Sequence, residues 1–296
     1  MLQLLDDWRR WNTCDHRPNA GQVEVLPGGL TNQSFILHLD RGDFVLRLEA
    51  GNSRALDIHR DVEYRIHQQA ALIGLVPKVL YRSSDDATGN SKHYWIREYL
   101  HGNVLTPDDL DDSTLAEMAR LLRKLHSLPA DDDIPVLSLA DKGQAYLETI
   151  IRNGTASDEL IALIHALLQQ YQSPPGKTRC LCHMDPTLGN WIRTARGLQL
   201  VDWEYAAQGH PLWDLAAIVQ DVHLSEAQQQ VLLGHYFDGQ PGRSVVAGKK
   251  RGYDKKKWQY AKTQINLIAA LWYGAQQLWS LRELESYLLG LQASRL

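Results

Sequence analysis

The chain reads as an α+β fold in two lobes, a β-rich lobe over residues 1–99 and a mainly helical lobe over residues 100–296. Three observations predict it. Residues 34–39 and 43–48 alternate apolar and polar with period two on either side of Asp40-Arg41-Gly42, which marks a hairpin. Past Gly102 the apolar period lengthens to that of helices. A short connector at residues 98–102 separates the two regimes, and such a bilobal layout offers a cleft for a ligand.

In the first lobe the hairpin puts Phe35, Leu37 and Leu39, then Phe44, Leu46 and Leu48, on one face. A helical pattern follows through Ile58, Val62, Ile66, Ala70 and Ile73, ended by Gly74 and Pro77. Residues 79–81 and 94–99 read as two further strands. In the second lobe Thr114 and Glu117 have the spacing of a capping box before the stripe Leu115, Met118, Ala119, Leu122 and Leu125. Helices are expected at about 141–152, 158–171, 211–221, 225–237 and 255–293, the last breaking near Ser280. Between the second and third of these lie a short strand, a polar loop and a hairpin of residues 191–194 and 198–201 turning at Arg196-Gly197.

Composition narrows the class. With 44% hydrophobic and 22% charged residues, the chain has the balance of a globular protein. A formal charge of −4 argues against a nucleic-acid partner gripped by a basic face. Cys14, Cys180 and Cys182 are too few for a disulfide framework, and Cys180-x-Cys182 lacks a second pair for a zinc site. Asp6 and Asp7 stand where a signal peptide would be basic, and the longest apolar run, 265–275, is too short to span a bilayer. A cytoplasmic protein with no membrane partner is expected; oligomeric state is left open. Lys249-Lys250-Arg251 and Lys255-Lys256-Lys257 read as a solvated loop and helix start.

The stretch "CHMDPTLGNWIRTARGLQLVDWE", residues 182–204, carries the chemistry. Singly, Asp185, Asn190 and Asp202 are ordinary turn residues. Together, His183-x-Asp185-x₄-Asn190 followed by a hairpin and Asp202 has the spacing of a kinase catalytic loop and its metal segment. Phosphoryl transfer needs a carboxylate beside the attacking hydroxyl, hard oxygen ligands for Mg²⁺ and a clamp on the phosphates.

At these residues the sequence resembles the kinase-like small-molecule phosphotransferases: aminoglycoside phosphotransferases, choline/ethanolamine kinases and bacterial thiamine kinase. The loop, "LVDWEYAAQGHPLWDLA" (200–216) and "LPGGLTNQSFILHL" (26–39) look like that family's catalytic loop, metal segment and nucleotide loop. The resemblance covers about residues 20–220 and implies a protein-kinase-like fold with ATP and Mg²⁺ as cofactors. It makes Asp185 the base or hydroxyl-orienting residue, with His183 buttressing the loop, and Asn190 and Asp202 the metal ligands. Gly28, Gly29, Thr31, Asn32 and Ser34 would lie over the phosphates, and adenine would meet backbone near Glu98 and Leu100. One departure is Arg47, in "FVLRL", where kinase folds carry Lys; a guanidinium can hold phosphate oxygens, with Glu63 on the next helix as its ion-pair partner.

Nine tryptophans remain to be placed, of which Trp258, Trp272 and Trp279 recur with Ile265 every seven residues. That spacing reads as an apolar helix face packed on the lobe, or, at Trp272, Tyr273 and Trp279, as the wall of a pocket for a cation. Glu204 and Asp214, with Asp221, are candidate counter-charges for such a substrate, Asp214 alternatively bracing the catalytic loop. The expected reaction is phosphorylation of a small, cationic alcohol, thiamine ahead of choline or ethanolamine. The alternatives are an aminoglycoside phosphotransferase and a non-catalytic kinase-like binding module.

Overall fold

The structure, a computed structural model, describes residues 2–27, 32–49, 58–83, 93–131, 133–154, 156–238 and 253–293. Its first part is one antiparallel sheet of β1 (Val23–Leu26), β2 (Gln33–Leu39), β3 (Gly42–Leu48), β4 (Val79–Arg82) and β5 (Tyr94–Glu98), in the order β1-β2-β3-β5-β4. The β2–β3 turn closes on Gly42, whose φ of 123° favours a residue without a Cβ. The face named by alternation packs as expected. Leu37, Leu39, Phe44, Leu46, Tyr94 and Ile96 form a core with Leu4, Leu5 and Trp11 from the N-terminal segment. The register then sets Ser34 opposite Arg47, Arg47 opposite Trp95 and Val45 opposite Arg97 on the other face.

Helix α1 (Arg60–Ala71) directs Ile66 and Ala70 into a core shared with residues of the second part, including Leu200, Trp203 and Leu215. The Leu200 amide donates to Leu75 O at 2.8 Å and extends that joint. The apolar face of α1 thus packs on the second part, while Glu63, Tyr64 and His67 meet the sheet at Arg47 and Trp95.

The second part holds α2 (Asp112–His126), α3 (Leu139–Asn153), α4 (Asp158–Gln170), α5 (Pro211–Val222), α6 (Glu226–Phe237), α7 (Lys255–Ala275) and α8 (Leu281–Ala293). Two small sheets carry the loops between them: β6 (Gly102–Val104) with β8 (Trp191–Thr194) and β9 (Gly197–Leu200), and β7 (Cys180–Cys182) with β10 (Ala207–Gly209). The α2 cap differs from expectation. Asp111 is the N-cap, accepting from Thr114 N at 2.7 Å, and α2 starts at Asp112. Thr114 and Glu117 instead hold the β8–β9 hairpin, accepting from Arg193 Nη2 at 2.7 Å and Leu198 N at 3.0 Å.

The long C-terminal helix breaks before Ser280, as α7 ends at Ala275 and Gln277 turns left-handed at φ 57°. Trp279 therefore lies off the α7 stripe. No described helix is long and apolar enough to cross a membrane. Lys249, Lys250 and Arg251 fall outside the described residues.

Candidate active site

The loop from His183 to Asn190 leaves β7 and enters β8, and the buried side chains beneath it fix its shape. Asp214, fully buried on α5, accepts from the backbone N–H of His183 at 2.9 Å and of Met184 at 2.7 Å. Its Oδ2 also lies 3.0 Å from His126 Nε2. Two consecutive N–H groups aimed at one carboxylate hold Met184 at φ 69°, a left-handed value that an L-residue keeps only when its surroundings enforce it.

His183 is buried too. Its Nδ1 accepts from Asp185 N at 3.2 Å, so Nε2 carries the proton and donates to Val201 O at 3.0 Å. Burial lowers its pKa, and the neutral ring sets the height of Asp185 without reaching the cavities.

Asp185 and Asn190 meet across the loop. Asn190 Nδ2 donates to Asp185 O at 2.8 Å and to Asp185 Oδ2 at 2.9 Å, which turns the amide oxygen the other way. Burial, then the charge of Asp202, raises the Asp185 pKa well above the carboxylate range, against the lowering by Asn190. Asp221 Oδ2 accepts from Leu188 N at 2.8 Å and closes the loop from α5.

Two cavities meet at this pair. The smaller, of about 230 Å³, lies between sheet and loop and is lined by Asn32, Ser34, Arg47, Glu98, Leu100, Asn190 and Asp202. The larger, of about 900 Å³, opens toward α3, α5 and α7 and includes Asp185, Trp272, Tyr273 and Trp279. Gly28, Gly29 and Thr31 lie outside the described residues.

The smaller cavity has two guanidinium groups, Arg47 and Arg97, in its wall. Arg47 is 4% exposed and paired with Glu63, its Nη2 lying 3.2 Å from Asp202 Oδ1 and 3.5 Å from Glu204 Oε2. Burial alone would lower the Arg47 pKa; Glu63 and Asp202 outweigh it and raise it. Among the described residues its Nε finds no hydrogen-bond partner, nor does Arg97 Nε on the same wall, while Nη2 is engaged as an ion pair with Asp202. Buried N–H groups without partners are costly, and phosphate oxygens would satisfy them. Asn190 and Asp202 add hard oxygen donors to that wall, a set that suits Mg²⁺.

The larger cavity has an aromatic side. Trp272 Nε1 donates to Tyr205 OH at 2.9 Å, and the Tyr273 and Trp279 rings stack at 5.0 Å and 19°. Trp258 and Ile265 are buried in the core at 4% and 6% exposure, so the seven-residue repeat divides between packing and pocket.

Of the residues named for the substrate, Glu204 and Asp214 do not line the larger cavity, and Asp214 takes its alternative place bracing the loop. Glu204 is turned away from the larger cavity into Asn32 Nδ2 at 2.6 Å and Arg60 Nη1 at 3.4 Å, because three cationic or amide groups converge on it. Asp214 is sealed beneath the loop, where a substrate cannot touch it. Asn32 lines the smaller cavity and also braces Arg60, its Oδ1 accepting from Arg60 Nη2 at 2.9 Å. Sequence reasoning passed over Arg97, although alternation with Trp95 in "YWIRE" put both on one face. Lys142 and Tyr205 also line the larger cavity, and no local pattern marked them.

Comparison with known proteins decides the family. Residues 22–248 match the phosphotransferase enzyme family over most of the chain. The chain belongs to that family. Among its phosphotransferase relatives, the protein LicA of Haemophilus influenzae is 29% identical over 216 residues, 71% of this chain and 61% of LicA. The chain therefore spans less than two thirds of that relative's length. Thiamine kinase of Escherichia coli O157:H7 is 28% identical over 208 residues, 68% of this chain and 67% of that enzyme. In fold, this phosphotransferase superposes on the choline kinase LicA of Streptococcus pneumoniae with a TM-score of 0.69 at 21% identity, over 92% and 93% of the two chains; LicA has also been solved with AMP. The architecture is protein-kinase-like, a β-sheet N-terminal region on a helical C-terminal region.

Proposed function

We propose that this phosphotransferase is an ATP- and Mg²⁺-dependent kinase of a small, cationic alcohol, with thiamine ahead of choline or ethanolamine. The observation that carries the reading is the junction of the two cavities at Asp185 and Asn190, one cavity fitted to anions and the other walled by aromatic rings. Residues 1–99 supply most of the nucleotide side, and residues 100–296 the loop and the acceptor side. The names of the relatives, thiamine kinase and choline kinase, agree with that acceptor class.

In this mechanism Asp185 accepts a hydrogen bond from the acceptor hydroxyl and points its oxygen at the γ-phosphorus. The new O–P bond forms as the bond to the β-phosphate bridge oxygen breaks; ADP leaves and the hydroxyl proton passes to Asp185. Burial and the charge of Asp202 raise its pKa, which strengthens it as a proton acceptor. Arg47 and Arg97 offset phosphate charge through their buried N–H groups. Asn190 and Asp202 would hold Mg²⁺, which supplies charge neutralisation on the phosphate oxygens when bound.

The test is ATP consumption by the purified chain, with Mg²⁺, against thiamine, choline, ethanolamine, amino sugars and aminoglycosides. Consumption with thiamine or a choline-type alcohol supports the reading. Consumption confined to aminoglycosides overturns the acceptor, and consumption with none overturns the kinase.

A further inference from the structure

We infer that His126, Cys180 and Cys182 form a binding site for a thiophilic divalent cation of the zinc class, closed inside the second part and separate from the residues proposed to hold Mg²⁺. Sequence alone leaves Cys180-x-Cys182 without a second pair, and the fold supplies a third donor. Alternation along β7 sends both cysteines to one face, and α2, which packs on that strand, ends with His126. One donor atom from each of the three residues lies within 4.8 Å of the other two. The two thiol sulfurs are 3.6 Å apart, close to the ~3.8 Å that two thiolates span around a tetrahedral ion at ~2.3 Å. A shift of about 1 Å in the imidazole completes the set.

The thiols are otherwise weakly engaged. Cys180 Sγ lies 3.7 Å from Gly209 O and Cys182 Sγ 3.8 Å from Cys180 O. All three side chains are buried, and both cysteines are free thiols. A ligating histidine ordinarily keeps an oxygen partner on its second ring nitrogen. Both nitrogens of His126 have one, Nε2 lying 3.0 Å from Asp214 Oδ2 and Nδ1 2.8 Å from Tyr236 OH. The nitrogen that turns to the ion gives up one partner and leaves the other in place. On binding, each thiol loses its proton to solvent and forms a sulfur–metal bond; two thiolates balance a divalent charge, so the buried group is neutral. A closed set of soft donors is the mark of a structural ion rather than one that activates water. Cys182 directly precedes His183, and Asp214 accepts from the N–H groups of His183 and Met184. The ion would thus tie α2 to the strand that carries the loop.

The test uses cadmium, which reports thiolate ligation by an ultraviolet charge-transfer band, on the full chain carrying Cys14→Ala. Cys14 lies in the core of the first sheet, so this variant leaves Cys180 and Cys182 as the remaining thiols. Because the site is closed, the ion is added both to the native chain and during refolding from denaturant. The band should saturate at about one ion per chain, and zinc should displace the cadmium. Free zinc at about a hundredfold excess over its Kd should lower the unfolded fraction about a hundredfold, read as a higher melt. Cys180→Ala and Cys182→Ala, each in that background, should lose the saturable band, and His126→Gln should weaken binding by about tenfold or more. No band in Cys14→Ala by either route overturns the site. So does a band unchanged in a cysteine variant, or an affinity unchanged in His126→Gln. If the single variants do not fold, the Cys14→Ala titration decides alone. None of these readouts involves ATP or an acceptor, so the outcome stands apart from the kinase reading.

Discussion

The Asn190 amide nitrogen stands 2.9 Å from Asp185 Oδ2, so a residue lining the smaller cavity fixes the carboxylate that faces the larger one. In the proposed reaction one side chain would thereby couple the nucleotide and acceptor halves. A change on the nucleotide side at Asn190 also moves the acceptor side, and its kinetic effects should not divide into one KM or the other.

Asp185→Asn keeps the shape and removes the base. Turnover should fall by ~10²–10⁴-fold with ATP binding retained. Stability should move the opposite way. The folded pKa of Asp185 lies above its ordinary value of 3.8, so wild-type stability declines as pH rises from there through the raised pKa. At neutral pH the variant should melt higher than wild type, and the gap should close as pH falls toward the ordinary carboxylate range. Melting curves across that window check it; a variant that melts lower at neutral pH would contradict the buried-charge account.

The proposed mechanism gives Arg47 a second job beside its ion pair with Glu63, and one double variant separates them. Arg47→Met should raise the KM for ATP and lower the melting temperature, because Glu63 is wholly buried and loses a partner. Breaking a buried pair costs ~3–5 kcal/mol, reduced here by Arg60, which stays 3.0 Å from Glu63. Adding Glu63→Gln should recover the melt and leave the KM defect. Arg47→Lys should fall between, since an ammonium keeps the charge and loses the fork.

Asp202→Ala should weaken Mg-ATP binding far more than binding of ATP with metal chelated. Equal losses with and without Mg²⁺ would leave Asp202 only its contact to Arg47.

The aromatic wall can be told from the core by a matched pair. Trp279→Leu should raise the acceptor KM several-fold to about thirtyfold and spare ATP. Trp258→Leu, at a site 4% exposed, should lower the melt by the several kcal/mol of a truncated core aromatic, with both KM values near wild type. Identical losses in melt and activity for the two variants would return Trp279 to packing.

What the sequence made legible was local. Alternation found the β2–β3 hairpin and its buried face, helical periods found the helices of the second part, and loop spacing found Asp185, Asn190 and Asp202. Long-range encounters were not legible. Glu204 follows the metal segment like a substrate residue, yet Asn32 and Arg60, far back in the chain, hold it. The heptad through Trp279 looked helical because no local signal announced the left-handed Gln277. Lys142 sits on a helix where any lysine reads as solvated, and only the fold brings Tyr205 to it.

The joint between α1 and the second part bears on how the chain is made and cut. Ile66, Ala70, Leu75 and Val76 take their cover from Leu200, Trp203 and Leu215, which leave the ribosome much later. Until then α1 and the segment after it carry a bare apolar strip, the state in which chaperones engage a chain and in which aggregation begins. A fragment ending at residue 99 would carry that strip permanently. The nucleotide half therefore cannot be transplanted as a self-sufficient cassette; a graft would have to bring the stretch that closes over α1.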